Sequence, residues 1–201
     1  MKQQMFSLSN GITLDCRMAG AKGRPLMLFL HGFPEAAFVW DGMLNFFSAP
    51  EHGGYLCVAP NLRGYAGSSA PSDVAAYRAK HLVQDLVALK ELLSPQQPLA
   101  CLVAHDWGGA VAWNMANQHP ELMRQLAIIN SPHPGTFLRD LQSHPTRARC
   151  RYACKNALFA RHAAAHVLGI LLADVDQFIH VGVVVNLGQI FRRPFSNTGN
   201  A

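Results

Sequence analysis

A chain of 201 residues is long enough to form one domain with a large buried core. Half of its residues are hydrophobic and 14% are charged, which is typical of a soluble globular protein. The net charge of +5 arises after residue 145: residues 1–145 contain 10 Lys and Arg against 10 Asp and Glu, and residues 146–201 contain 7 against 2. A neutral body with a basic end argues against a nucleic-acid-binding face, so we expect no nucleic-acid partner.

The five cysteines are an odd number and lack the paired spacing of a zinc site. Cys57 and Cys101 lie in apolar runs, where a reduced cysteine acts as a small hydrophobe. The segment Met1–Phe6 contains neither an apolar signal region nor a cleavage site. We therefore expect a reduced, cytoplasmic protein without a metal or cofactor.

The first segments predict a hairpin followed by a buried strand. Gly11–Met18 alternates in character after the turn signal at its start, and Pro25–Leu30 is a continuous apolar run typical of a sheet covered on both faces. His31–Glu35, with the sequence HGFPE, follows directly. Its glycine lets the backbone approach a ligand, and the amide of Phe33 can then point into a site. Taken alone, the motif fits a generic tight turn equally well.

Further segments continue the alternation of helix and strand. Residues 36–48 show helical recurrence, and Tyr55–Pro60 predicts the next buried strand. The glycine-rich loop Asn61–Ser69 lacks the lysine and the helix of a phosphate-binding loop. Residues 74–93 predict an amphipathic helix that ends at Pro95.

The most informative segment lies between the apolar run Pro98–Ala104 and a helix that begins near Gly108. Asp106 falls on the turn between them, and the small residues two positions away on each side permit a sharp strand-turn-helix elbow. A carboxylate that attacks an sp3 carbon forms an ester that water can cleave, whereas a serine would form an ether. Asp106 therefore suits epoxide opening or halide displacement, although an aspartate before a helix also serves as an N-cap.

Leu126–Ile129 predicts another short strand, which ends in Asn130–Pro134. Strands that alternate with helices in this way indicate a parallel, doubly wound α/β sheet, whose ligands bind at the carboxyl ends of the strands. Four polar residues lie at such ends: His31, Asn61, Asp106 and Asn130.

Residues 5–145 resemble the α/β-hydrolase fold and, within it, the epoxide hydrolase branch. The resemblance rests on four segments that agree in order and spacing. They correspond to the oxyanion-hole motif, the arginine-glycine loop, the nucleophile elbow and the end of the following strand: His31–Glu35, Asn61–Tyr65, Ala104–Gly109 and Asn130–Pro134. The resemblance implies an α/β-hydrolase fold with a doubly wound, mostly parallel sheet that is incomplete at its C-terminal end.

The resemblance also implies a site. Asp106 would be the nucleophile, and the backbone amides of Phe33 and Trp107 would stabilise the oxyanion that forms when the ester is hydrolysed. Three further residues would belong to the substrate pocket: His31, Pro34 and Tyr152. The implied partner is a small epoxide or another apolar electrophile, and no cofactor is implied.

Two other hydrolase families with similar motifs help to distinguish between the possible reactions. Haloalkane dehalogenases share the Asp-Trp pair but usually carry asparagine where this chain has Phe33, and fluoroacetate dehalogenases place arginine where it has Trp107. Both comparisons favour epoxide opening. The chain also departs from the family pattern, because Asn61 replaces a common aspartate and Ala66 and Ala104 replace common glycines.

The family also uses a water-activating histidine and a second acid, which follow the elbow at a distance. The late candidates are Asp174, Asp176 and His180, whose close spacing does not resemble the separate loops that supply these groups. From about residue 146 the sequence matches no cap pattern, and its apolar stretches are too interrupted for a membrane span.

We therefore expect residues 1–145 to form the N-terminal part of a hydrolase domain. Residues 146–201 would be an aberrant or partial cap-like segment, which we attribute to a disrupted reading frame near residues 145–147. The expected activity is epoxide opening through an ester on Asp106, with impaired turnover. The alternatives are a haloalkane dehalogenase-like hydrolase and a non-catalytic truncated fragment, and the oligomeric state is left open.

Overall fold

Seven strands form one sheet in the computed structural model, which describes residues 1–143 and 182–186. In chain order the strands are β1 (Lys2–Ser7), β2 (Thr13–Ala19), β3 (Leu26–Leu30), β4 (Leu56–Pro60), β5 (Cys101–His105), β6 (Gln125–Ile129) and β7 (Gly182–Asn186). Their order in the sheet is β1-β2-β4-β3-β5-β6-β7. The four strands β4, β3, β5 and β6 pair in parallel, and β1, β2 and β7 are joined through antiparallel pairs.

Four α-helices belong to the same described residues: α1 (Asp41–Ser48), α2 (Ala79–Leu93), α3 (Trp107–Gln118) and α4 (Pro134–Ser143). Short 3₁₀ turns lie at Ala37–Trp40, Pro50–His52, Val74–Tyr77 and Pro120–Leu122. The helix predicted over residues 74–93 is therefore divided, because Arg78 has an extended backbone conformation between the 3₁₀ turn and α2.

Alternate side chains of the central strands enter two separate cores. In β3, Leu28 and Leu30 belong to a core that includes residues of α2 and α3, whereas Met27 and Phe29 belong to a core that includes residues of α1. Since successive side chains of a strand point to opposite faces, both faces of the sheet are covered. This explains the uninterrupted apolar runs in the sequence and confirms the predicted doubly wound, mostly parallel α/β sheet.

The cysteines of the strands are part of these cores. Cys16, Cys57 and Cys101 are free and buried, and burial raises the pKa of each thiol to about 12. These thiols are therefore protonated at neutral pH. The prediction that Cys57 and Cys101 act as small hydrophobes is confirmed.

Strand β7 covers the outer edge of β6. The two strands run antiparallel, with Gly182 opposite Ile129 and Asn186 opposite Gln125. The carboxyl end of β6 is therefore beside the first residue of β7. Other residues that the sequence singled out in this part of the chain lie outside the described residues: Tyr152, Asp174, Asp176 and His180. The division of the chain near residue 145 stays a prediction.

Across residues 1–143 and 182–186, no helix combines the length and the apolar character needed to cross a membrane.

Candidate active site

Asp106 occupies a strained turn between β5 and α3. Its φ of 51° and ψ of −117° lie outside the regions that residues with a Cβ atom ordinarily adopt. The turn is held from both sides, because the Asp106 N–H donates to the Ile129 carbonyl at 3.1 Å and its own carbonyl accepts the Ala110 N–H at 3.3 Å. Such strain costs about 1–3 kcal/mol and is concentrated at functional sites in proteins.

The glycines around this turn allow main-chain segments to approach one another. A Cβ atom on Gly108 would lie 2.6 Å from the His31 carbonyl oxygen and 2.7 Å from that of Leu30. A Cβ atom on Gly32 would lie 2.5 Å from the Cβ of Asp106 and 2.9 Å from its Oδ1. All four distances are too short for real Cβ contacts, so the two glycines let α3 and the loop after β3 pack closely around the aspartate.

The Asp106 side chain does not cap α3. Although the residue occupies the N-cap position, its carboxylate makes no capping hydrogen bond to the first turn of the helix. Instead, Oδ1 accepts the backbone N–H of Phe33 at 3.1 Å. The N-cap interpretation is therefore wrong for this residue, and the carboxylate faces the loop that follows β3.

Of the two residues predicted to line the oxyanion hole, one contacts this carboxylate and the other follows Asp106 in the chain. Phe33 provides the observed N–H, and Trp107 is the first residue of α3, where backbone N–H groups lack a partner within the helix. Their side chains are 66% and 65% exposed, and the neighbouring Pro34 is exposed as well. Asp106, which is itself half-buried, therefore has two exposed aromatic residues as neighbours.

His31 lies inside the fold and has no exposed surface. Its ring is fully buried, with Nδ1 at 2.9 Å from the Gly32 carbonyl oxygen and Nε2 accepting the Leu62 N–H at 3.1 Å. Burial lowers the pKa of His31 below its ordinary value of 6.5, so the ring is neutral at neutral pH. The expected substrate contact of His31 is therefore replaced by a role in the main-chain structure, because both ring nitrogens are already engaged.

Two residues near the site lie in motifs of the sequence but have no role predicted from it. His105, immediately before Asp106, places its Nδ1 at 3.2 Å from Oε2 of Glu35, the last residue of the HGFPE motif. Tyr65 packs its ring edge-on against His31, with 4.4 Å between ring centroids. Burial and, to a lesser degree, the negative charge of Asp106 raise the pKa of Tyr65 above its ordinary value of 10.0.

The arginine-glycine loop is held by a buried ion pair. Arg63 donates from Nη2 and Nε to the two oxygens of Asp85 at 2.5 and 2.6 Å, and it also binds the carbonyls of Ala76 and His81. The Asn10 side chain donates to the same carboxylate at 2.7 Å. The arginine therefore fixes the loop to α2 and does not face the site.

Asn61 connects the same loop to the segment after HGFPE. Its Oδ1 accepts the Ala37 N–H at 2.8 Å, and its Nδ2 donates to the Ala66 carbonyl at 2.9 Å and to Asp15 Oδ2 at 3.3 Å. An aspartate could not make the two donor bonds.

Among the residues described by the structure, no group of three or more His, Cys, Asp or Glu side chains is arranged to hold a metal ion.

Comparisons with known proteins agree with this geometry. The family model described as the alpha/beta hydrolase fold matches residues 25–167. The chain belongs to the α/β-hydrolase fold family. The predicted fold class is confirmed by this match and by the order of the strands in the sheet.

Individual relatives point to one branch of the family. The chain is 41% identical over 138 residues to Epoxide hydrolase 3 of Xenopus tropicalis, which is 69% of this chain and 36% of that protein. It is 38% identical over 139 residues to Epoxide hydrolase 4 of Mus musculus, which is 69% of this chain and 37% of that protein. The predicted resemblance to the epoxide hydrolase branch is confirmed, and the chain spans just over a third of the length of these relatives.

A solved structure supports the same relationship. An epoxide hydrolase of the α/β-hydrolase superfamily from metagenomes of hot environments superposes with a TM-score of 0.66 at 38% sequence identity. The match covers 72% of this chain and 47% of that one.

Proposed function

We propose that this chain opens epoxides through an ester formed on Asp106. One carboxylate oxygen attacks an epoxide carbon, the carbon–oxygen bond of the ring breaks, and the released alkoxide takes up a proton. The product is a hydroxyalkyl ester of Asp106. Water then attacks the ester carbonyl carbon, which releases a diol and regenerates the carboxylate, while the N–H groups of Phe33 and Trp107 stabilise the oxyanion.

One observation carries the proposal: the Asp106 carboxylate leaves its helix uncapped and accepts the Phe33 N–H at 3.1 Å. The Phe33 N–H that binds the carboxylate in this structure would also donate to the oxyanion that forms on the same group during ester hydrolysis. The strained backbone at Asp106 also costs free energy, and no capping hydrogen bond offsets that cost. The names of the frog and mouse relatives support an epoxide as the substrate class.

The surroundings favour an apolar epoxide. Phe33, whose N–H binds the carboxylate, and Trp107, which follows Asp106 in the chain, are both largely exposed, and large exposed apolar surfaces commonly mark sites of binding. An electrophile with an aryl or alkyl substituent would cover these rings while its epoxide carbon meets Asp106. We also propose a cytoplasmic location, which the free state of Cys16, Cys57 and Cys101 supports.

We propose further that ester formation is faster than ester hydrolysis. Hydrolysis requires a base that activates water. His31 does not provide one, because both of its ring nitrogens bind the main chain. The late candidates Asp174, Asp176 and His180 lack the spacing of separate catalytic loops.

The intact mass of the full chain, followed over time with styrene oxide, tests both steps. We expect one adduct per chain, which hydroxylamine removes because it is an ester, and little diol beyond one equivalent. An Asp106→Asn variant should gain no such adduct. Sustained diol production would contradict slow hydrolysis, and an adduct that persists in the Asn variant would contradict the role of Asp106.

A primary chloroalkane provides the control for the alternative reaction. If halide is released in one equivalent while styrene oxide leaves the protein unchanged, the site displaces halides and the epoxide assignment is wrong.

A further inference from the structure

The peptide unit between Gly32 and Phe33 is held at both of its polar ends. Its N–H donates to Asp106 Oδ1 at 3.1 Å. Its carbonyl oxygen lies 2.9 Å from His31 Nδ1 and also accepts the Glu35 N–H at 3.1 Å. The N–H and C=O of one peptide lie in the same plane and point in opposite directions. Holding the Gly32 carbonyl therefore fixes the direction in which the Phe33 N–H points.

The hydrogen bonds of His31 determine where its ring proton resides. The Leu62 N–H donates to Nε2 at 3.1 Å, so this nitrogen must be an unprotonated acceptor. The single proton of the neutral ring is then on Nδ1, from which it can be donated only to the Gly32 carbonyl beside it. The edge-on Tyr65 ring and complete burial keep the imidazole in this orientation.

We propose that His31 is a positioning residue for the Asp106 site. Through its Nδ1–H it holds the Gly32 carbonyl and thereby aims the Phe33 N–H at the Asp106 carboxylate. The hydrogen bonds run in one direction, from Leu62 through the ring and the peptide to the carboxylate, and each bond in such a chain polarises the next. This inference deepens the proposed function and rests on it, since there the same N–H stabilises the oxyanion.

Two substitutions separate the two ring nitrogens. The side-chain nitrogen of His31→Asn occupies the place of Nδ1, so this variant keeps a donor to the Gly32 carbonyl and loses the acceptor for Leu62. The side-chain oxygen of His31→Gln reaches the place of Nε2, so this variant keeps the acceptor and loses the donor. Each variant removes one buried hydrogen bond and leaves one partner unsatisfied, so the two are matched in their cost to the fold.

The first readout does not depend on activity. In ¹⁵N-labelled full-length protein we expect the Phe33 amide proton to resonate downfield, as a donor to a carboxylate does, and to move upfield in Asp106→Asn. His31→Asn should keep most of the downfield shift and His31→Gln should lose it. Equal shifts in the two His31 variants, whether both kept or both lost, would overturn the proposal.

The ¹⁵N shifts of the His31 ring in the unsubstituted protein give a measurement that requires no variant to fold. A proton on Nδ1 supports the proposal. A proton on Nε2, or on both nitrogens at neutral pH, contradicts it.

The second readout connects the residue to the reaction. Once Asp106 carries the styrene oxide ester, its cleavage by hydroxylamine passes through an oxyanion. We expect His31→Gln to slow this cleavage at least about 10-fold, a fraction of the loss that follows removal of a whole oxyanion donor, and His31→Asn to restore most of the rate. If no ester forms on any variant while the amide shifts follow the expected order, the proposed function fails and the positioning role of His31 stands.

Discussion

Two aspartates of this protein are held in opposite ways. Asp85 is 3% exposed, and both of its carboxylate oxygens bind the guanidinium of Arg63. Asp106 is half-buried and accepts a neutral backbone N–H, and no cationic side chain of residues 1–143 lies within ion-pair distance of it. The charge of Asp85 is neutralised inside the fold, whereas the charge of Asp106 is kept where an incoming molecule can reach it.

The difference separates an aspartate that stabilises the fold from the aspartate that we propose as the nucleophile. Asp85 joins α2 to the loop after β4, so its removal leaves a buried arginine without a counter-ion. The Asp106 carboxylate accepts one backbone N–H and caps no helix, and the backbone conformation of this residue costs free energy. Substitutions at the two positions should therefore affect different measurements.

The largest expected effect on stability is at Asp85. Asp85→Asn leaves the Arg63 charge buried and unpaired, so we expect the free energy of unfolding in urea to fall by about 3–5 kcal/mol. The matched control is Asp41→Asn, which breaks the ion pair with Arg17, whose side chains are 27% and 32% exposed. That pair should contribute only about 0–1 kcal/mol. Equal losses of unfolding free energy in the two variants would contradict a larger contribution of the buried ion pair to stability.

A smaller loss is expected at Asn61. Asn61→Asp removes the donors to Ala66 and Asp15 and places a second carboxylate beside the one of Asp15, so we expect a loss of about 1–3 kcal/mol at neutral pH. The loss should shrink as pH falls, because two adjacent carboxyl groups can then share a proton. Asn114→Asp is the control, since it also removes a side-chain donor, here to the Ala110 carbonyl, but in a different part of the fold. A loss in Asn61→Asp that does not change with pH would argue against the carboxylate contact.

His31 should make stability depend on pH by a smaller amount. The unfolded chain takes up a proton at His31 near pH 6.5. In the folded chain burial lowers the pKa of this residue, and His105 lowers it further. The Gly32 carbonyl and Glu35 raise the pKa by smaller amounts than burial lowers it. The unfolded state therefore binds more protons just below pH 6.5. Stability is fully present above that pH and falls on acidification by at most about 1.4 kcal/mol per pH unit.

Urea unfolding between about pH 7.5 and 5 measures this slope. His31→Asn should have a lower stability at pH 7.5 but a flatter dependence on pH. If the variant and the unsubstituted protein lose stability in parallel, the slope belongs to other groups.

The smallest effect concerns Asp106 and Tyr65. Asp106→Asn should leave the free energy of unfolding within about 0.5 kcal/mol, because it removes no capping bond or ion pair. It should also lower the pKa of Tyr65 towards the ordinary value, since the carboxylate charge is lost while burial remains. Tyrosinate absorbance during alkaline titration measures this, with Tyr65→Phe to identify the band. An unchanged Tyr65 titration would show that the charge of Asp106 does not act on the Tyr65 hydroxyl.

Much of the site could be predicted because its signals are local. The apolar runs of β3 and β5, the small residues around Asp106 and the glycine before Phe33 all lie within a few residues of the features they determine. The chain order of these units then indicates which sheet edge they share.

The missed features depend on contacts between distant residues. His31 interacts with Leu62, and Arg63 with Asp85, and neither partner follows from spacing within one segment. A histidine in such a motif therefore suggested a pocket, whereas its ring in fact supports the main chain. Strand β7 was missed for the same reason, since its pairing with β6 joins residues more than fifty positions apart.

Peptide mapping of the full chain after brief exposure to styrene oxide at neutral pH tests directly whether Asp106 is the nucleophile. We expect the ester to lie on the peptide containing Asp106, in preference to Asp85 and the other carboxylates, and to disappear in Asp106→Asn. Label spread over exposed carboxylates and histidines, with no excess at Asp106, would contradict it.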